Sequence, residues 1–437
     1  MIIGTSSSER RQRVHIYGEM MTPAPNTHGA GLVLCSQVQA FLDLGCDVEF
    51  VYLQTRDGFF TTTCDYFKQL TYTVLDARTE KTSKYTRLAY LAGWPEDASW
   101  RQLYPARELL QREVQKRIDN DRTAIHLFNY LRTANVIPSL PNVRTIWACH
   151  EIESEFHAMN SAISQELEGR KPNAWEKRTL RRLTGLERKV AKAAGLVLCV
   201  SAAEAKQIVE QWSMPHAAYL PFSIGNGDMP IIARECRSQG ELRLLHVGGL
   251  DHAPTYTSLE FLFTKVFPLL DEDTISKLKL EVAGRMDPDG KWSKAIVEMA
   301  RPYPMVRFSG FVDDIRTAYQ RNDLQVVAST QATGIRTRVV ESWAFGLPVV
   351  STTLGAGGVE GLEPGQNILI ADDPRDFARI LQELIHAPMR LDKISAAARQ
   401  TYEDQYSRRA VAGVLCELLN SKFDLQLSPV ASLTTVN

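Results

Sequence analysis

The stretch from Leu324 to Gly361 constrains this chain more than any other. Leu324 to Ala328 is a short, mostly apolar run, as expected of a strand buried in a parallel sheet. Gly334 lies in the polar loop that follows and lets the backbone turn closely. From Ile335 to Phe345, Val339, Val340, Trp343 and Ala344 fall on one face at helical spacing. Gly346 and Pro348 stop that helix. Leu347 to Ser351 reads as the next strand, and a glycine-rich loop closes the unit. Two cations, Arg336 and Arg338, stand at the helix start. Free backbone N–H groups, the positive end of the helix dipole and guanidinium forks together suit a pyrophosphate. Glu341, five residues beyond Arg336, can accept hydrogen bonds from the vicinal hydroxyls of a ribose. The chemistry suggested is binding of a nucleoside diphosphate. A plain α/β unit with solvated arginines fits the same spacing.

At 437 residues the chain has room for two domains. Its 50 basic and 51 acidic residues balance, which gives no ground for a nucleic-acid partner. Seven dispersed cysteines without a Cys-x-x-Cys pair read as reduced thiols, with Cys149 and Cys199 in buried strands. Met1 to Arg13 is polar and lacks the apolar segment of a signal peptide. No run of about 18 apolar residues predicts a membrane span. The expectation is a cytoplasmic protein, either free or peripheral at the inner face of a membrane.

The run Gly334, Arg336, Arg338, Glu341, Ala344, Gly346, Pro348, Val349, Val350 and Ser351 resembles the signature of the retaining glycosyltransferases of family four. Ser309 to Arg316 looks like that family's Gly-Phe-Val-x-Asp segment. His246-Val-Gly-Gly-Leu-Asp251 resembles its domain-opening strand and loop. The co-linear set covers about residues 240 to 405. The resemblance implies an α/β protein of the GT-B fold, with two Rossmann-like domains facing across a cleft and a C-terminal helix crossing back to the first. It implies transfer of a sugar from a nucleotide-sugar donor, UDP- or GDP-linked, to a glycan, lipid-linked or other small acceptor, with retention of configuration. No cofactor and no metal is expected.

Taken in order, Arg13 to Gly18, Ala30 to Leu44 and Asp47 to Gln54 read as strand, helix and strand, the opening of a Rossmann-like domain. The loop between holds Asn26, His28, Gly29 and Gly31. By resemblance, Gly29 lies near the donor phosphates and His28 near the acceptor; by spacing alone the glycines are also consistent with an ordinary turn. Thr61 to Trp100 is hard to organise; its aromatics and threonines suggest short strands or a mobile excursion. Ala106 to Ile118 reads as a helix, and Ala124 to Asn129 and Arg144 to Cys149 as strands. The latter runs into His150, Glu151 and Glu153, at the strand end where α/β folds place their sites. The resemblance turns His150 towards the acceptor and the sugar, as a catalytic group, with Glu151 beside it. A histidine capping the next helix is the other reading.

Trp175 to Ala194 is a basic helix over an apolar stripe, interrupted by Glu176 and Glu187. It is either a solvated face or a contact for an anionic membrane. Ser201 to Glu204 reads as a capping box opening a helix to Trp212. The predicted domains are residues 1–222 for the acceptor, a linker at 223–230, residues 231–398 for the donor, terminal helices at 399–423 returning to the first domain, and a disordered tail at 424–437. Asp287 and Asp289 read as a turn rather than a metal motif. Implied donor contacts are Gly29, Gly249, Arg285, Phe311 at the base, Thr333, Gly334, Ile335, Arg336, Arg338 and Glu341, the last also grouped with the catalytic residues.

Two departures from the family stand out. Thr333 occupies the position of a usual second glutamate that contacts the donor sugar. The Gly248–Gly249 loop lacks the usual arginine and lysine, so Arg336 and Arg338, with Arg285, would carry the diphosphate. Alternatives are a non-catalytic nucleotide-sugar-binding relative or another GT-B enzyme, such as a nucleotide-sugar epimerase.

Overall fold

The computed structural model describes residues 11–19, 23, 29–55, 67, 70–78, 103–225, 240–331 and 333–430. His28, most of the unpatterned stretch before residue 103, the linker beyond Gly225 and residues 431–437 lie outside them.

The first domain is a seven-stranded parallel sheet with strands β1 (Arg13–Glu19), β2 (Asp47–Gln54), β3 (Thr71–Asp76), β4 (Ile125–Asn129), β5 (Arg144–Cys149), β6 (Leu196–Cys199) and β7 (Ala217–Tyr219). Their order is β3-β2-β1-β4-β5-β6-β7. Its helices are α1 (Gly29–Asp43), α2 (Leu103–Asn120), α3 (Tyr130–Ala134), α4 (Glu153–Glu168), α5 (Ala174–Ala193) and α6 (Ala202–Gln211). The second sheet has β8 (Leu242–Val247), β9 (Leu278–Ala283), β10 (Val306–Gly310), β11 (Leu324–Val327), β12 (Val349–Ser351) and β13 (Leu369–Ile370), in the order β10-β9-β8-β11-β12-β13. Its helices are α7 (Ala253–Phe261), α8 (Glu272–Lys277), α9 (Lys291–Ala300), α10 (Ile315–Arg321), α11 (Thr337–Ala344), α12 (Pro374–His386) and α13 (Met389–Gln405), before the terminal α14 (Arg408–Phe423).

Both sheets are doubly wound, so each has one point where the strand order reverses. In the second domain it lies between β8 and β11, at their C-terminal ends, where such sheets open a crevice for ligands. The central strands are apolar runs buried on both faces, which is why Leu242–Val247, Leu278–Ala283 and Arg144–Cys149 have the bounds their sequence suggests. After α7 the chain changes at Leu262 into a π-helical turn and then a 3₁₀ turn, with Pro268 inside the latter.

Of the terminal helices, α14 returns to the first domain as expected, whereas α13 stays on the second, with Ser395 Oγ donating to the Gly346 carbonyl. Val411, Leu415, Cys416 and Leu419 of α14 complete the apolar layer that α1 forms on the first sheet. Each such buried side chain contributes on the order of 1.5–3 kcal/mol. Arg408 pairs with buried Asp43 of α1. The expected disorder from Asp424 does not hold for residues 424–430. Leu427 N–H donates to Asn420 at 2.8 Å, and Val430 N–H to the Asp43 carbonyl at 2.8 Å. Leu425 and Leu427 supply the apolar anchors that the polar composition of the tail concealed.

Candidate functional site

Two loops meet at the switch point of the second sheet, Gly248–His252 after β8 and Ala328–Arg336 after β11. A methyl group placed on Gly248 would fall 3.0 Å from Arg338 Nη2 and 2.4 Å from Thr255 Oγ1. The cation missing from the Gly248–Gly249 loop is thus supplied from α11. Thr255 lies in the first turn of α7, fully buried, and its hydroxyl has no protein partner. The α7 N-cap, His252, makes no side-chain cap. Two helix starts, an unpaired hydroxyl and a guanidinium fork therefore converge on one small space, which is suited to an anion with several oxygens.

His246, at the end of β8, orients Arg338. Its Nδ1 lies 3.0 Å from the Val326 carbonyl oxygen and so carries the proton. Its Nε2 then accepts from Arg338 Nη1 at 3.2 Å. Burial and Arg338 hold the imidazole down to about 3, so it stays neutral. Burial lowers Arg336 and Arg338 only to about 10, and both remain cations at neutral pH. Glu341 lies near Arg338 and accepts from Tyr319 Oη at 2.9 Å; burial pushes its carboxyl up to about 7. On the rim, the exposed Arg285 guanidinium sits 4.9 Å above the Phe311 ring, and Phe311 is 45 % exposed, an open flat face. Ile335 packs into the core behind the loop, and Arg336 is held by the Thr333 carbonyl.

The first domain comes up against this loop. A methyl on Gly334 would lie 3.3 Å from the His150 carbonyl oxygen and 3.2 Å from Glu151 Cβ. One on Gly29 would strike Thr337 Oγ1 at 2.6 Å. The structure thus brings Gly29, His150, Glu151, Gly334, Arg336 and the start of α11 together. His150 is buried, bonds Asn129 through Nε2 at 2.7 Å and stacks on Tyr130 at 4.3 Å. It does not cap α4.

The N-cap of α4 is Ile152, which has no side-chain oxygen. Carboxylates from elsewhere serve its first amides. Glu187 Oε1 accepts from Ser154 N–H at 3.1 Å and Glu204 Oε1 from Ile152 N–H at 3.2 Å. Burial pushes Glu151 and Glu187 up to about 8, Glu204 to about 7 and Glu153 to about 6. Sequence reading missed this cluster: Glu187 was taken as a surface charge interrupting α5, but it is fully buried. Among the sequence-level signals, only a carboxylate on an otherwise apolar stripe position of α5 pointed to it. The capping box expected at Ser201 is half formed. Ser201 Oγ accepts from Glu204 N–H at 3.3 Å, but the Glu204 carboxylate turns away.

A carboxyl whose folded value is raised keeps a proton that the unfolded chain releases, so its contribution to stability falls as pH rises from about 4.5 through the raised value. Buried His126 and His246, both lowered to about 3, act oppositely, and their effect is complete by about pH 6.5. Above that pH the carboxyls govern. Glu187→Gln keeps the oxygen for Ser154 and is expected to stabilise the protein by about 1–3 kcal/mol at pH 8 and by little at pH 5. Thermal unfolding at the two pH values checks this; an equal effect at both would show that Glu187 does not carry the proton.

Asp289 N–H donates to Asp287 Oδ1 at 3.0 Å, a local turn. Among the described residues no helix is long and apolar enough to cross a membrane.

Residues 241–387, the second domain from β8 to the end of α12, match the model of the family described as Glycosyl transferases group 1. Over 119 residues the chain is 32% identical to the lipopolysaccharide core biosynthesis glycosyltransferase LpsE of Rhizobium meliloti (strain 1021). That match covers 27% of this chain and 34% of LpsE, about a third of the curated relative's length. The fold is similar to sucrose-phosphate synthase of Thermosynechococcus elongatus, with a TM-score of 0.69 at 14% identity over 95% of this chain and 100% of that one. It is also similar to Anabaena HepE in complex with UDP-glucose, with a TM-score of 0.64 at 17% identity over 94% and 100%. The lipopolysaccharide outer core galactosyltransferase WaaB gives 0.59 at 12% over 94% and 100%. At these identities the likeness establishes the fold, two parallel-sheet α/β domains of the GT-B type.

Proposed function

We propose that this protein is a glycosyltransferase that moves a sugar from a nucleoside-diphosphate sugar to a glycan, lipid-linked or other small acceptor, with retention of configuration. The observation that carries the reading is Arg338 at the Gly248 loop, aimed by a neutral histidine beside two helix starts. Arg336, Arg338, Thr255 and the Gly249 amide would hold the diphosphate and stabilise the charge that develops on it as the sugar leaves. Glu341 would take the ribose hydroxyls, and Phe311 with Arg285 the base. His150 and Glu151, across the cleft, would face sugar and acceptor. Gly29 would lie near the donor phosphates, and catalysis would rest on closing the two domains over the donor rather than on a pair of carboxylates. No metal or cofactor is called for.

HepE, similar in fold, binds UDP-glucose in its crystal structure, which supports a UDP-linked donor over a GDP-linked one. The outer face of α5 carries exposed Lys177, Arg178, Arg181, Arg188, Lys189 and Lys192 and ends at Trp175, 44 % exposed. With Glu187 buried and Glu176 engaged in the Asn173 capping box, this cationic face suits a peripheral contact with the anionic inner face of a membrane.

The test is a thermal-shift panel of UDP, GDP, ADP, CDP and dTDP with their common sugars, without added metal. The expected result is a clear rise in melting temperature with one nucleotide series. No shift with any of them would overturn the reading. Glu341→Ala is expected to weaken that nucleotide by about 1–3 kcal/mol through loss of the ribose bonds; titration calorimetry giving the wild-type affinity would remove Glu341 from the site.

A further inference from the structure

The geometry points to Glu204 as a positioning residue that holds the two halves of the site in register, one carboxylate oxygen joining the His150 loop to the Gly334–Arg336 turn. As a role in transfer, this rests on the function proposed above.

Glu204 Oε1 accepts from Ile152 N–H of the first domain at 3.2 Å and from Gly334 N–H of the second at 3.0 Å. Ile152 is two residues beyond His150, and Gly334 two before Arg336. The residue is only 6 % exposed, so neither bond competes with bulk water. Its local alternative is forgone. Glu204 stands at the third position of a helix capped by Ser201, where a glutamate ordinarily returns a bond to the cap's own amide; here it reaches across the cleft instead. Its other oxygen, Oε2, is buried without a partner, as is Nε of Arg336, 7 % exposed, whose charge faces Glu204 and Glu151.

The surrounding seam is built for close approach. Gly334 has φ +65°, and a side chain there would meet Glu151 and the His150 carbonyl. A methyl on Gly358 would fall 2.9 Å from Ser201 Oγ and 2.7 Å from the Gly334 carbonyl oxygen. On the far side of the cleft, Ile163 and Met159 of α4 pack into the second domain's core, and Glu168 pairs with Lys291 at 2.7 Å. Those contacts join the domains without touching the site. Glu204 joins them by hydrogen bonds through the two loops that carry His150 and Arg336, and so helps to set the spacing of the reacting groups.

Hydrogen exchange of the full chain, read on peptides containing Ile152 and Gly334, tests the pin without reference to activity. In Glu204→Ala both amides are expected to exchange about tenfold faster or more, while Glu204→Gln, which keeps an acceptor oxygen, changes them by less than about threefold. Unchanged exchange at Gly334 in Glu204→Ala, or acceleration spread over the whole first sheet, overturns the proposal. With the nucleotide found by the panel, Glu204→Ala should keep its Kd within about threefold while kcat falls about thirtyfold and Glu204→Gln recovers most of it. An equal loss of binding and turnover in both variants also overturns it. Failure of the wild type to bind any nucleotide sinks the proposed function, whereas exchange at Gly334 judges the pin by itself.

Discussion

Arg338→Ala is expected to weaken binding of the cognate nucleoside diphosphate about a hundredfold, close to 2.7 kcal/mol, within the range for a charged hydrogen bond lost from a sheltered site. The size follows from how the side chain is held. Its guanidinium is already in place over the Gly248 loop, so little ordering entropy remains to be lost on binding. Its orienting partner is a neutral imidazole rather than a carboxylate. The positive charge is therefore aimed without being cancelled by that partner, and an arriving phosphate meets nearly its full value. Arg338→Lys keeps the charge but loses the fork and the bond to His246, and should fall between wild type and alanine. Calorimetric titration of the folded variants decides the matter; wild-type affinity in Arg338→Ala would place the diphosphate elsewhere.

Gly284→Ala is expected to cost more than about 3 kcal/mol, or to leave the second domain unfolded. A methyl there would lie 2.0 Å from the Gly248 carbonyl oxygen and 2.5 Å from its carbon. Both are backbone atoms, and no rotamer change can relieve the clash. The backbone cannot retreat easily either. Gly284 N–H is bonded to the Gly310 carbonyl at 2.8 Å, and Gly248 N–H to the Ala283 carbonyl at 2.9 Å. The loops after β8, β9 and β10 thus cross at one point, and displacing it moves the Gly248 loop. Urea unfolding of the variant measures the loss, and a change below about 1 kcal/mol would mean that the crossing yields.

The strand–turn–helix–strand unit of the candidate site was legible in the sequence because its parts are close in the chain. Leu324 to Ser351 holds a strand, a turn, a helix and a strand in 28 consecutive residues, and the periodicity changes from buried run to helical face within it. The seam was not legible. Glu204 and Gly334 are 130 residues apart, and their meeting depends on how two finished domains face each other. Glu187 looked like surface charge because an isolated helix pattern does not say that a neighbouring helix lacks a cap. Strand β3 is one of the short strands that the threonines and aromatics of its stretch suggest, but its bounds were not legible. As an edge strand it is only half covered, and the burial of Thr71 to Asp76 does not follow their alternation, with Val74 49 % exposed and Leu75 buried.

The return of α14 to the first sheet has a consequence for the newly made chain. The layer formed by α1 on that sheet is completed by Val411, Leu415, Cys416 and Leu419, which leave the ribosome only after the entire second domain. At ~5–20 residues per second, that interval is on the order of tens of seconds. Through it the N-terminal half presents a bare apolar strip to solvent, so the time it stays uncovered is set by how late in the chain α14 is made.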